Sequence, residues 1–124
     1  MMQAILIVSH GSRFSKTLNE VSRLADQIKT KTDVPVVRYA FLELQDPDIP
    51  TGIEACIEEG AEEVYILLNF LNAGRHVDED IPRIIRQAQD KHPQVKIRLS
   101  APLGQHQKIP DLFLDLIKDL QTDE

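Results

Sequence analysis

The feature that most constrains this chain is Ala4–Arg13, a run of branched apolar residues that stops abruptly at Ser9-His10-Gly11-Ser12-Arg13. Ala4–Val8 is too short for a buried helix and leads straight into turn residues, so it reads as a fully buried strand. Open α/β sheets carry their chemistry in polar loops at the carboxyl ends of such strands. His10 is therefore the first candidate site residue, although a histidine in that place often only lines or caps a loop.

The same logic extends down the chain. Leu18, Val21, Leu24, Ala25 and Ile28 recur at helical spacing, from a start near Arg13 or Ser15 to a stop in Lys29–Asp33. Val36–Leu42 reads as a second strand and runs out into Glu43-Leu44-Gln45-Asp46-Pro47. Ile49, Ile53, Cys56 and Ile57 mark a helix with Gly60 as its C-cap. Val64–Leu68 is a third strand, ending in Asn69–His76. Ile81, Ile84, Ile85 and Ala88 give a third helix, with Pro82 tolerated in its first turn. Val95–Leu99 alternates as a half-exposed strand should. A final helix near Pro110–Leu120 is expected to bury Leu112, Phe113, Leu116, Ile117 and Leu120.

Four strands alternating with four helices predict a parallel sheet. The first and third strands are apolar throughout and suit the centre. The second and fourth carry Arg38, Lys96 and Arg98 and suit the edges. Right-handed crossovers then favour the order 2-1-3-4 with helices on both faces. The winding reverses between the first and third strands, so His10 and His76 converge on one mouth, with Glu43 one strand away.

Composition bounds the function. With 124 residues the expectation is one domain, able to bury on the order of two-thirds of its unfolded surface. A net charge of −6 with fourteen scattered Lys and Arg residues argues against a nucleic-acid partner. No apolar run approaches the ~20 residues of a membrane span, and no signal-peptide pattern is visible, so no membrane partner and a cytoplasmic location are expected. The single Cys56 excludes an intrachain disulfide framework and reads as a small core residue.

Two imidazoles and a carboxylate suit a borderline divalent metal such as cobalt, nickel, iron or zinc. With no third histidine or cysteine to close the shell, the site reads as open and exchangeable. Neutral imidazole is the binding form, so occupancy falls below pH ~6.5. Plainer readings stand beside these. Asp78, Glu79 and Asp80 read as first-turn acids that offset the helix dipole. Glu43 and Arg75 read equally as solvated loop charges, His76 as a loop residue bonded to backbone, and His92 as solvent-exposed. His106 lies on the fourth strand's outlet, with little to mark it for a role. Histidine phosphatases also carry His-Gly after a first strand, but they place an arginine directly before the histidine, where this chain has Ser9.

Ser9–Arg13, Phe41-Leu42-Glu43, the stretch Phe70–Pro82 with its pattern FL-x-x-G-x-H-V-x-x-D-I-P, and Pro102-Leu103-Gly104 together resemble the small, single-domain sirohydrochlorin chelatases. These are class II tetrapyrrole chelatases. The resemblance runs over nearly the whole chain and implies one chelatase-type domain over residues 1–124, a flavodoxin-like half of the two-domain enzymes. It implies that His10 and His76 bind the metal substrate, Co2+ first and Fe2+ or Ni2+ next, with no organic cofactor. Glu43 matches an acidic residue that assists metal binding or proton removal. Substrate carboxylates would meet Arg13, Arg75 and the backbone amides of Ser12 and Gly74. Ring edges would rest on Leu44 and the exposed Phe70 and Leu71. By analogy with the two-domain relatives, a homodimer with facing mouths is expected. Two departures stand out: Ser9 where family members commonly have Gly, and Asn69 where they commonly have Pro.

Overall fold

A computed structural model describes residues 1–121. The elements are β1 (Gln3–Ser9), α1 (Ser15–Lys29), β2 (Val36–Phe41), α2 (Ile49–Glu58), β3 (Glu63–Leu68), α3 (Ile81–Lys91), β4 (Lys96–Pro102) and α4 (Ile109–Gln121). A π-helical turn, His76–Asp80, leads into α3, and a short 3-10 turn, Leu103–Gln105, follows β4. All strand pairs are parallel and the order is β2-β1-β3-β4, as the strand compositions predict.

Alternation along the strands sorts the core into two layers. Ala4, Leu6 and Val8 of β1 and Val64, Ile66 and Leu68 of β3 face Ile49, Ile53 and Cys56 of α2 and Ile81 and Ile85 of α3. Ile5 and Ile7 face the other way, against Ala25 with Leu24 and Ile28 of α1. Each Val, Leu or Ile side chain buried in this way contributes roughly 1.5–3 kcal/mol. Cys56 lies within the first layer, and burial pushes its thiol up to about 11, so it packs rather than reacts. Asp48 caps α2 by accepting from the Thr51 amide at 2.9 Å. Gly60 follows the C-cap of that helix at φ +104°, a left-handed position suited to glycine. No helix among the described residues is long and apolar enough to cross a membrane.

Three expectations need correction. Helix α4 forms where expected but does not bury its apolar stripe: Leu112, Phe113, Leu116, Ile117 and Leu120 remain 51% to 70% exposed. The exit from β4 that leads into it is tightly held. Gly104 is clamped against the β3 outlet, its amide donating to the Phe70 carbonyl at 2.9 Å. A Cβ at that glycine would sit 1.7 Å from the Leu71 carbonyl oxygen, so the approach requires glycine. The chain is thereby held at the sheet's carboxyl edge, and α4 starts from there.

His92 is not solvent-exposed. Its side chain is 16% accessible, and Nε2 lies 2.7 Å from Glu54 Oε1, tying the end of α3 to α2. His92 and then Lys91 hold the Glu54 carboxyl below its ordinary range. His76, finally, sits in a helical turn rather than a loop. Pro82 has no N–H, and its ring crowds the carbonyl four residues back; the wider turn, with the Ile81 amide bonded to the His76 carbonyl, accommodates it.

At the opposite edge of the sheet, the buried Glu63 receives the Arg98 guanidinium at 2.6 Å, Gln3 Nε2 at 2.9 Å and the Tyr65 hydroxyl at 3.0 Å. Led by Arg98, these bonds hold its carboxyl down from 4.5 to about 2. A carboxyl depressed on folding stabilises the protein above its unfolded value and loses that contribution as pH falls through the folded value. Melting temperatures of wild type and Glu63→Gln should therefore differ most near neutral pH, the gap closing between pH 4.5 and about 2. A gap independent of pH would contradict this account.

Candidate metal centre

The site is built by a ladder that continues past the strand ends. The Leu42 amide donates to the Ser9 carbonyl at 2.9 Å, and the Glu43 amide to the His10 carbonyl at 3.0 Å. Gly11 makes this continuation possible. Its φ is +99°, and a Cβ there would lie 1.7 Å from the Glu43 carbonyl oxygen. Glu43 is thus brought alongside His10, with Oε1 3.0 Å from His10 Nε2. On the other side, the Asn69 amide donates to the Val8 carbonyl at 2.8 Å, and Asn69 Nδ2 to Ser9 Oγ at 2.9 Å. Ser9 and Asn69 therefore face one another and join the β1 and β3 outlets.

The π turn sets the His76 ring 5.5 Å from that of His10, tilted by 56°. One ligand atom from each of His10, Glu43 and His76 lies within 4.8 Å of the others. Their side chains are 44%, 48% and 50% exposed. The cluster is a surface site at the carboxyl edge, where β1 and β3 separate the two directions of winding.

Second partners orient both rings. His10 Nδ1 lies 3.1 Å from the Gly11 carbonyl, an acceptor only, so that nitrogen carries the proton. Nε2 then turns its lone pair toward the Glu43 carboxylate. Such an arrangement calls for a second proton or a cation between them. His76 Nδ1 donates to Asp80 Oδ2 at 2.6 Å, which frees Nε2 as a ligand. Arg83 Nη2 approaches the other Asp80 oxygen at 3.4 Å. Asp80, expected only as a first-turn acid, therefore also holds the His76 ring. The signal for it is the spacing: residues four apart share a helix face. Two imidazoles and one carboxylate, with coordination positions left open, fit a divalent metal of the cobalt, iron, nickel or zinc type.

The remaining candidates surround this cluster unequally. Arg13 and Arg75 are exposed, and neither has an ion-pair partner among the described residues. Leu44 and Leu71 are 54% and 62% exposed at the rim. Leu44 sits at φ +70°, a left-handed conformation rare for a leucine and found where a loop is held by its surroundings. Phe70 is half-buried and packs against the core, not exposed as expected. The Ser12 amide is already engaged by Gln45 Oε1 at 3.1 Å, so it is not the free donor anticipated. Gly74 leaves open space around its Cα, and its carbonyl accepts the Asp78 amide at 3.0 Å. Between the histidines, Phe70, Leu71, Gly74 and Val77 line an open depression of about 310 Å³. His106 lies outside the metal cluster; its Nδ1 accepts the Lys108 amide at 3.0 Å.

Fold and site together define a class: α/β proteins with a short parallel sheet and an open His-Glu-His cluster at its carboxyl edge. Comparison with known proteins narrows the class. The CbiX family profile matches residues 4–120. The sirohydrochlorin ferrochelatase of Priestia megaterium is 34% identical over 123 residues, which is 99% of this chain and 46% of that protein. The sirohydrochlorin cobaltochelatase of Methanocaldococcus jannaschii is 33% identical over 91 residues, 73% of this chain and 64% of that one. The crystal structure of the sirohydrochlorin chelatase SirB from Bacillus subtilis subspecies spizizenii, in complex with cobalt, superposes with a TM-score of 0.85 at 35% identity. It is matched over 96% of this chain and 51% of that one. The chain belongs to the CbiX family and spans about half the length of the ferrochelatase and of SirB.

If Asp80 fixes the His76 ring for a ligand, Asp80→Asn should weaken Co2+ binding by roughly 10–100-fold, read by isothermal titration calorimetry. An affinity unchanged from wild type would mean that the Asp80 contact is only a helix-end interaction.

Proposed function

We propose that this chain inserts a divalent metal, cobalt in the first place, into sirohydrochlorin, in tetrapyrrole biosynthesis of the cobalamin or siroheme type. The observation that carries the reading is the meeting of His10, Glu43 and His76 within 4.8 Å at one open edge. Family membership supports it, and the relatives named for both cobalt and iron leave iron close behind, with nickel also matching the donor set.

The metal substrate has to be held and then surrendered. Nε2 of His76, Nε2 of His10 and the Glu43 carboxylate hold it through an incomplete shell, which leaves positions for the incoming ring nitrogens. As two pyrrole N–H bonds break and the four ring nitrogens take up the metal, two protons must leave. Glu43 and His10 lie 3.0 Å apart and are free to accept protons once they release the ion. The Arg13 and Arg75 guanidinium groups are suited to the macrocycle's carboxylate arms. Leu44 and Leu71 offer apolar contact to its edge, and Phe70 backs the floor. An open depression of about 310 Å³ does not enclose a tetrapyrrole, and a second copy, its mouth facing this one, supplies the opposite wall.

The test is to mix the protein with sirohydrochlorin and Co2+ and follow the macrocycle's visible spectrum against the uncatalysed rate. His10→Ala and His76→Ala should each lower kcat/KM by roughly 10²–10⁴-fold with unchanged circular dichroism. Tight binding of the macrocycle without acceleration would instead describe a carrier. Hydrolysis of a phosphate ester after metal removal would describe a histidine phosphatase.

A further inference from the structure

His10 is shared by two recesses, and the site described so far uses only one of them. The first is the depression with Phe70, Leu71 and Val77, whose apolar side chains suit the face of a macrocycle. The second is a groove of about 310 Å³ between α1 and the outlets of β1 and β3. Helical spacing builds its α1 wall. Thr17, Glu20, Val21 and Leu24 are related by three, four and seven residues and share one face. Val21 is buried, and Leu24 packs with Ile5 and Ile7. The chain enters α1 from the His10 loop, so the earlier residues of that face, Thr17 and Glu20, stand toward the His10 end.

The groove has a chemistry of its own. It carries oxygen donors: the Glu20 carboxylate, the Thr17 hydroxyl and the hydrogen-bonded pair Ser9 and Asn69. No lysine or arginine lines it among the described residues, so the carboxylate arms of a macrocycle find no counter-charge there. A cation does. Glu20 is exposed and has no ion pair or hydrogen bond among the described residues. Asn69 donates Nδ2–H to Ser9 Oγ, and its carbonyl oxygen accepts nothing from the described residues. Carboxylate, hydroxyl and amide oxygens hold a hydrated divalent ion loosely, whereas imidazole suits a borderline ion better. An ion in this groove therefore lies beside the first imidazole of a tighter centre.

We propose that this groove is a docking site for the incoming divalent ion. Glu20, with Thr17 and Asn69, receives the hydrated cation on the α1 side of His10 and passes it to His10, Glu43 and His76. The step is a ligand exchange: water and the groove's oxygens leave the ion as imidazole nitrogens and the Glu43 carboxylate take their places. Ion and macrocycle thus approach His10 from different recesses, and a bound macrocycle does not bar the ion. The inference rests on metal insertion as the function and adds the route by which the metal arrives. Its test uses Co2+ alone, so failure of insertion and failure of docking remain separate results.

Stopped-flow absorbance of Co2+ binding to the full-length chain, without macrocycle, gives the association and dissociation rates. A docking site lies on the path both in and out. Glu20→Gln should therefore slow both rates by roughly 3–10-fold and leave the equilibrium affinity of the histidine centre unchanged. Glu20→Asp should retain most of the wild-type rates. Asp90→Asn removes an exposed carboxylate near the far end of α3 and should change neither rate. Three results would overturn the docking site. One is an association rate unchanged in Glu20→Gln. Another is equal slowing in Asp90→Asn, the mark of net charge alone. The third is an affinity weakened in Glu20→Gln through faster dissociation, which would make Glu20 a support of the centre itself.

Discussion

Everything at the carboxyl edge of this protein depends on the place of β1 between β2 and β3. Backbone pairing on both sides of one buried strand delivers two outlet loops to the same point. The ladder does not stop where the strands stop. It runs on to Glu43 beside His10, and to Asn69 beside Val8. Gly11 is what this continuation requires, since any side chain there would collide with the Glu43 carbonyl. Neither histidine is positioned by the other. His10 is carried by the backbone ladder that continues past β1 and β2, and His76 by the π turn that leads into α3.

The chemistry of the site follows from a contrast between rigid orientation and incomplete coordination. Gly11 and Asp80 each take one ring nitrogen, so the opposite nitrogens of His10 and His76 are aimed in advance. Preorganised ligands of this kind lower the cost of binding a metal. Among the described residues, the proposed shell nevertheless comprises two imidazoles and a carboxylate, all about half exposed. A centre that must pass its ion to another ligand gains from both properties. A structural metal site would close the shell and bury it.

How much of this was legible before any coordinates follows from what kind of information each feature needs. Strand order came from composition, because buried central strands and charged edge strands differ in their residues. The convergence of His10 and His76 on one mouth followed from that order, with Glu43 expected one strand away; that its carboxylate meets both rings is what the coordinates add. The second role of Asp80 was obscured because an acid in a first helical turn already has a sufficient explanation. The π turn was equally hidden: Pro82 announced a helix start but not the wider turn that seats His76. His92 looked solvated in a Lys-His-Pro turn, and only the packing of α2 against α3 reveals Glu54 as its partner. The Ser12 amide was unavailable for a reason no local pattern states, the reach of Gln45 across the loop. The apolar stripe of α4 was read correctly as a stripe. Periodicity says that a face needs covering, not which surface covers it.

The most direct measurement of the central claim is X-ray absorption at the cobalt edge on the Co2+-loaded protein. Two imidazole nitrogens at roughly 2.1 Å, with oxygen completing the shell, are predicted. One of the two imidazoles should disappear in His10→Ala and likewise in His76→Ala. A spectrum without imidazole scattering, or one unchanged in both variants and altered by His92→Ala, would contradict the account.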